Sequence, residues 1–419
     1  MLDIKFILEN QKLIEENCKN RRANCNLEAI KSLAEERKTL LKKVEDLRAS
    51  RNANSKEKPS EENIFLMRKL GAEVKQLEAI LKNIEDKLLQ AVYDIPNLTH
   101  PDSPIGEEAD FKVIYTSPEP KELDFEPKDH EELMTDLDLI DFGAGAKVAG
   151  SKFYYFKNQM VRLNLALINY GMDVAQKHGY SLMETPDVVK DEILEGSGFN
   201  PRGAEKQTYK IADTELNLIG TAEMTVLGYH ADETLDLTDG PKKYVALSHC
   251  FRTEGGSYGQ ASKGLYRVHQ FTKLEMFIFC QPQDSEKYHR ELLDIEKEIV
   301  DGLRLPYRVI DIASADLGGP AYRKFDIEAY MYMKGDEDDK GDYGEITSTS
   351  NCTDYQARRL NIRHKTADGK KEFVHTLNGT AVVLSRFPVA IIENYQQADG
   401  SIIVPKVLQP YCGFDIIKK

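Results

Sequence analysis

The sequence predicts an α+β protein in two parts: a long N-terminal antiparallel α-helical hairpin with a coiled-coil pattern, then a larger domain built on an antiparallel β-sheet flanked by helices. Three observations carry this. Apolar residues recur at steps of three and four through two long N-terminal stretches, a run of prolines from Pro96 to Pro104 ends that pattern, and short alternating apolar runs separated by Gly, Asp and Asn follow. A chain of 419 residues suits two domains, placed at 1–104 and 105–419.

The first helix is read from Ile30, Leu33, Arg37, Leu40, Val44 and Leu47, an a/d seam interrupted by one arginine. Met67, Leu70, Val74, Leu77, Leu81, Ile84 and Leu88 repeat the pattern without a break. Between the two stretches, Pro59 stops one helix and Ser60 can cap the next. Helices of roughly 27 residues would each span about 40 Å, so the hairpin is expected to project from the body. A dimerisation element or spacer and a nucleic-acid-binding element are both open readings of such a hairpin.

Charge separates the two parts. Net charge is −14, which taken alone argues against a general nucleic-acid binder. Residues 1–100 carry 19 Lys and Arg against 17 Asp and Glu, a balance of +2, and the remainder carries −16. Residues 31–58 hold nine basic side chains against five acidic ones, with Lys38, Lys42, Lys43, Arg48 and Arg51 among them. A phosphate backbone could be held there without base contacts, and a solvated helix face with ordinary i to i+4 pairs is the alternative. Six scattered cysteines with no C-x-x-C pair suit reduced thiols. No apolar run is long enough for a membrane span, and Met1–Lys5 lacks the features of a secretory signal, so a cytoplasmic protein without a membrane partner is expected.

In the larger part, residues 159–178 read as one amphipathic helix ending before Gly179. Neither a G-x-G-x-x-G after a strand nor a G-x-x-x-x-G-K-[ST] occurs, which removes Rossmann and P-loop chemistry. The most informative stretch is Tyr244 to Cys280. Arg252 and Glu254 are expected to share a strand face; on a second strand Val268, Thr272, Leu274, Met276, Ile278 and Cys280 form a core face, opposite His269, Phe271, Lys273 and Glu275. A charged and aromatic face behind an apolar one suggests a lined pocket, and cross-strand ion pairs on a solvated face are the alternative. The Gly-rich segment between the strands, Gly255 to Gly264, could close over a ligand.

Phe251-Arg252-Thr253-Glu254, Arg267-Val268-His269-Gln270-Phe271 and Lys273-Leu274-Glu275 together resemble the second signature motif of class II aminoacyl-tRNA synthetases, in the seryl-tRNA synthetase form. Glu184-Thr185-Pro186 resembles the first signature, whose proline lies at the dimer interface. Thr221-Ala222-Glu223 resembles the serine-binding segment of that family. Glu345 to Cys352, followed by Gln356-Ala357-Arg358-Arg359, is a further family-like run. Leu377-Asn378-Gly379-Thr380 through Arg386, with Glu393-Asn394-Tyr395-Gln396, resembles the third signature. The resemblance covers nearly the whole chain.

It implies a homodimeric ligase that joins L-serine to ATP as seryl-adenylate and transfers serine to the 3′ end of tRNA(Ser), and of tRNA(Sec) where present. Attack on an α-phosphate needs positive charge and positioning more than a protein nucleophile. By resemblance Arg252, Arg386 and Glu345 carry catalysis, and ATP is bound by Arg252, Thr253, Glu254, Arg267, Val268, Phe271, Glu345, Ile346, Thr347, Ser348 and Arg386. Within that set Arg252 bridges the serine carboxylate and α-phosphate, Glu254 meets the adenine amino group, Phe271 stacks on adenine and Arg386 meets the γ-phosphate. Glu345 and Ser348 would hold Mg²⁺ through hard oxygens. Serine would be bound by Thr221, Ala222, Glu223, Arg252, Glu275, Asn378 and Thr380, with Glu275 and Thr380 at the hydroxyl. Lys38, Lys42, Lys43, Arg48 and Arg51 would contact tRNA.

One departure stands out: Ala381 and Ser385 occupy positions where the third signature usually has glycine. Asp336-Glu337-Asp338-Asp339 lacks the spaced ligands of a calcium loop and is read as a solvated hairpin tip. His269 is read as structural. The alternative function is a class II synthetase-like paralogue that activates a small amino acid for a carrier protein; such paralogues lack a long basic arm.

Overall fold

The computed structural model describes residues 1–55, 60–199, 207–254, 264–336 and 339–419. The chain divides into two compact units, Met1–Leu98 and Thr99–Lys419.

The first unit is four helices: α1 (Ile4–Glu9), α2 (Gln11–Asn20), α3 (Leu27–Asn54) and α4 (Glu61–Tyr93). Each long helix opens on a side-chain cap. The Asn26 side-chain oxygen accepts from the Ala29 amide at 3.0 Å, and Ser60 Oγ accepts from the Asn63 amide at 3.1 Å. At 1.5 Å per residue α3 and α4 are about 42 and 50 Å long. Ile30 and Val44 of α3 are buried, as are Val74, Leu81, Ile84 and Leu88 of α4, so the predicted seam is the packed one. Arg37, which interrupts that seam, places Nε 2.9 Å from Glu85 Oε1 of the opposite helix. Pro59 lies outside the described residues.

The second unit is organised by an eight-stranded sheet. In chain order its strands are β1 (Lys112–Thr116), β2 (Ser181–Glu184), β3 (Lys242–Phe251), β4 (Gln270–Cys280), β5 (Tyr307–Asp311), β6 (Arg323–Asp336), β7 (Asp339–Asn351) and β8 (His375–Val383). Their spatial order is β1-β5-β6-β7-β8-β4-β3-β2, antiparallel throughout except for the edge pair β2–β3. Residues 337–338, in the acidic run, lie outside the described residues.

Five helices of this unit bear on the site: α5 (His130–Asp136), α6 (Gln159–Lys177), α7 (Ala222–Tyr229), α8 (Ser285–Leu303) and α9 (Phe387–Tyr395). Alternation along β4 sorts its side chains. Leu274, Met276, Ile278 and Cys280 join the main core with Leu163 and Leu167 of α6 and Leu292 and Ile295 of α8, while Phe277 and Phe279 point the other way and pack with Val226 and Leu227 of α7. Close helix approach needs Gly171, where an added Cβ would lie 2.8 Å from Val382 Cγ2. A strand covered on both faces, with Lys273 and Glu275 in the buried row, is the scaffold on which a polar site can be held rigidly.

Candidate active site

The site lies on the α7 side of the sheet, where β4, β6, β7 and β8 contribute side chains from neighbouring strands and the segment just after β3 adds Arg252. At its base, Lys273 Nζ is 2.5 Å from Glu275 Oε2, and both are buried. Thr380 faces Glu275 across the β4–β8 pair, its Oγ1 3.5 Å from Glu275 Oε2. Buried charges need partners, and this lysine supplies one. Lys273 was on the predicted polar face but had no role assigned from sequence.

Glu223 enters from the first turn of α7. Thr221 caps that helix, its Oγ1 accepting from the Glu223 amide at 3.3 Å. Glu223 Oε1 accepts from Gln356 Nε2 at 2.5 Å and from Asn378 Nδ2 at 3.1 Å. Gln356, on the short helix Tyr355–Arg359, is itself fixed: its Oε1 accepts from Thr376 Oγ1 and its Nε2 donates to the Ser197 carbonyl. Burial, reinforced by the neighbouring Glu275, pushes the Glu223 carboxyl up to about 7. Ala222 beside it is fully buried.

The predicted shared strand face of Arg252 and Glu254 is corrected by the backbone. Strand β3 ends at Phe251, and Glu254 has φ of +49°, so period-two alternation does not extend that far. Arg252 is instead positioned by contacts: Nε donates to the Gly220 carbonyl at 3.3 Å, and its guanidinium carbon lies 5.3 Å from the centre of the Phe271 ring. The Thr253 amide donates to the Gln207 carbonyl. Arg267 Nη1 lies 4.0 Å from Glu254 Oε2. His269 Nδ1 is 3.0 Å from the Arg252 carbonyl, in keeping with a structural histidine. Residues 255–263 of the Gly-rich segment lie outside the described residues.

The third group is anionic. Glu345 and Ser348 are an odd number of residues apart, so a regular strand would put them on opposite faces. A register shift at Ile346, where Ile327 pairs with Thr347 but Glu328 with Glu345, inserts one residue and brings both to the same side. Ile346 itself packs in the core, and Thr347 Oγ1 donates to Glu296 Oε2 at 2.8 Å, which leaves only their backbone toward the site. Arg386, just before α9, reaches Glu345 at 2.7 Å, and its guanidinium lies 5.0 Å from the Tyr266 ring centre. Burial works to raise the Glu345 carboxyl; Arg386, with Lys324, more than reverses this and holds it below the usual range.

Asp326, opposite Ser348 in the β6–β7 ladder, is buried and its Oδ1 has no hydrogen-bond partner. Sequence carried no signal for it, since its place depends on which strand β7 pairs with. Among the described residues no three His, Cys, Asp or Glu side chains form a ready metal cage. The available donors are hard oxygens, with one orphaned carboxylate oxygen beside them, which suits Mg²⁺ completed by phosphate and water. Ala381 sits at a bulge in the β8–β4 pairing, and neither it nor Ser385 has positive φ, so neither position demands glycine in this chain.

On the hairpin, Lys38, Lys42, Lys43 and Arg51 are exposed, and Arg48 pairs with Glu78 across the helices at 2.7 Å.

Comparison with known proteins agrees at every scale. Residues 1–99 match the family described as seryl-tRNA synthetase N-terminal domain, and residues 208–395 match tRNA synthetase class II core domain (G, H, P, S and T). The chain is 51% identical to a serine–tRNA ligase of Treponema denticola, with 100% of both chains covered. It superposes on seryl-tRNA synthetase from Pyrococcus horikoshii complexed with ATP at a TM-score of 0.88 and 38% identity, covering 100% of this chain and 99% of that one. A cytoplasmic serine–tRNA ligase from Naegleria fowleri in complex with AMP gives a TM-score of 0.84 at 30% identity, with 100% and 99% covered.

Proposed function

The chain belongs to the seryl-tRNA synthetase family, and from that premise we propose how its site performs the reaction. The protein activates L-serine with ATP and transfers serine to the 3′ end of tRNA. In the first step a serine carboxylate oxygen attacks the α-phosphorus, the bond to the β-phosphate breaks and pyrophosphate leaves. In the second a ribose hydroxyl of the terminal adenosine attacks the serine carbonyl and AMP leaves. The observation that carries the reading is the meeting of a buried carboxylate pocket, Glu223 with Glu275, and an arginine-rich anion site, Arg252 with Arg386, on one sheet face.

Each residue role follows from that division. Glu223, ionised, receives the serine ammonium, with Thr221, Ala222 and Asn378 shaping its surroundings. Glu275 and Thr380 receive the serine hydroxyl. Alanine in the same pocket would bring no hydroxyl to Glu275 and Thr380, which would keep only their contacts with Lys273 and with each other, a penalty larger than losing a methylene contact. The Arg252 fork spans the serine carboxylate and the α-phosphate, a geometry lysine cannot reproduce. Glu254 and Phe271 take the adenine, with Thr253 and Val268 beside them, and Arg386 and Arg267 take the far phosphates. Glu345 and Ser348 would hold Mg²⁺, which supplies charge neutralisation on the phosphates when bound.

The hairpin, within residues 1–104, binds tRNA through Lys38, Lys42, Lys43, Arg48 and Arg51, and 105–419 carries catalysis. Exposed Leu182 on edge strand β2, with Val161 and Leu165 exposed on α6, supports a homodimer through this part of the fold. Among the described residues no helix is long and apolar enough to cross a membrane, and the protein is proposed to act in the cytoplasm. The carrier-protein alternative is not favoured, because the N-terminal domain match covers residues 1–99. Incubation with radiolabelled serine, ATP, Mg²⁺ and bulk tRNA should give acid-precipitable seryl-tRNA. A protein lacking residues 28–91 should still exchange pyrophosphate into ATP but should not charge tRNA. Charging by the truncated protein equal to that of the full chain would remove the hairpin from the mechanism.

A further inference from the structure

Gly264 lies shortly before β4, and the residues that follow it do three things in succession. Leu265 is fully buried in the main core. Tyr266 donates its hydroxyl to the Glu345 carbonyl at 3.2 Å and presents its ring to Arg386. Arg267 approaches Glu254. The position of this short segment therefore sets how the anion site is walled.

What fixes the segment is a buried histidine from outside the signature motifs. His130, the first residue of α5, accepts from the Leu265 amide through Nε2 at 3.3 Å, while its Nδ1 lies 3.1 Å from Glu393 Oε1 of α9. Glu393 Oε2 accepts from the Met333 amide of β6 at 3.1 Å. Both side chains are buried. An Nε2 that accepts must lack its proton, so Nδ1 carries it and donates to Glu393. Gln396 closes the clamp one turn on, accepting from the Lys128 amide and donating to the Lys128 carbonyl. Gly264 completes the fit: it has φ of +61°, and a Cβ there would lie 2.3 Å from His130 Nε2.

We propose that His130, oriented by Glu393, is a positioning residue for nucleotide binding: it anchors the Leu265 amide and so sets Tyr266 and Arg267 against Glu345, Arg386 and Glu254. The inference rests on the adenylation reading above. It predicts an effect on ATP that serine does not share, because the serine-facing groups Glu223 and Thr380 hang on α7 and β8, and Glu275 lies well along β4, beyond the segment that His130 anchors.

The test is a pair of variants read by pyrophosphate exchange. In His130→Gln the side-chain oxygen reaches the place of Nε2 and can still accept from Leu265, whereas in His130→Asn it stops short. His130→Asn should raise the ATP KM roughly fivefold, the loss of about one hydrogen bond, with serine KM unchanged within about twofold; His130→Gln should stay within about twofold of wild type for both. An unchanged ATP KM in His130→Asn, equal losses in the two variants, or a parallel rise in serine KM would overturn the proposal. Hydrogen exchange of the wild-type Leu265 amide gives a substrate-free reading: it should be protected about 100-fold or more, and exchange at the rate of a free amide would also overturn it. Absence of exchange activity in wild type would instead defeat the adenylation reading, which separates the two failures.

Discussion

Arg386, just before α9, and Glu345 of β7 meet with Arg386 Nη1 2.7 Å from Glu345 Oε1 and 3.3 Å from the Glu345 carbonyl oxygen. The pairing stores a cation and a carboxylate where phosphate and a divalent ion would compete for each. Removing either partner leaves the other's charge unmatched in a partly buried place, so the loss should exceed that of an ordinary surface pair. Arg386→Gln should lower kcat/KM for ATP in pyrophosphate exchange by about 100-fold or more. A change below about threefold would mean that Arg386 does not touch the reacting nucleotide.

Glu223 gives a pH signature. Its carboxyl is raised to about 7 from an ordinary 4.5 by burial and then by Glu275. Between those values the folded protein holds a proton that the unfolded chain releases, so this group makes stability fall as pH rises through the window. The serine ammonium favours the ionised form. Serine KM should therefore rise as pH drops below about 7, approaching tenfold per unit, and level off above it. Glu223→Gln should raise serine KM and flatten the profile between about pH 6 and 8.5. A wild-type profile already flat there would contradict the role.

Arg252 is held through Nε by the Gly220 carbonyl and lies against the face of Phe271. Arg252→Lys retains the charge but loses the planar fork. Exchange should drop by about 100-fold or more, and near-normal activity would show that no bidentate contact is made.

How much of this was legible in sequence depends on the range of the interaction. The α3–α4 seam is legible because heptad spacing is local, and Arg37 is visible as an interruption, although its partner Glu85 is not. Alternation separated Leu274, Met276, Ile278 and Cys280 from Lys273 and Glu275 on β4, but Val268 and His269 precede the strand, and Thr272 is half-buried and bonded to His249 instead of packing in the core. Arg252 and Glu254 did not follow alternation, because β3 stops at Phe251 and the chain turns with positive φ at Glu254. Glu345 and Ser348 share a face only through the bulge at Ile346, a feature set by the register with β6. Gln356 and Asp326 were missed as site residues because their partners, Glu223 and the β7 strand, are remote in sequence.

The most direct test of the central claim is exchange of labelled pyrophosphate into ATP by the purified protein, run with serine, alanine, threonine and glycine in turn. Serine alone should support rapid exchange. Alanine should be slower by roughly a thousandfold or more, because it brings no hydroxyl to hydrogen-bond with Glu275 and Thr380. No serine-dependent exchange with folded protein, or equal exchange with alanine, would contradict the assignment of this site to serine activation.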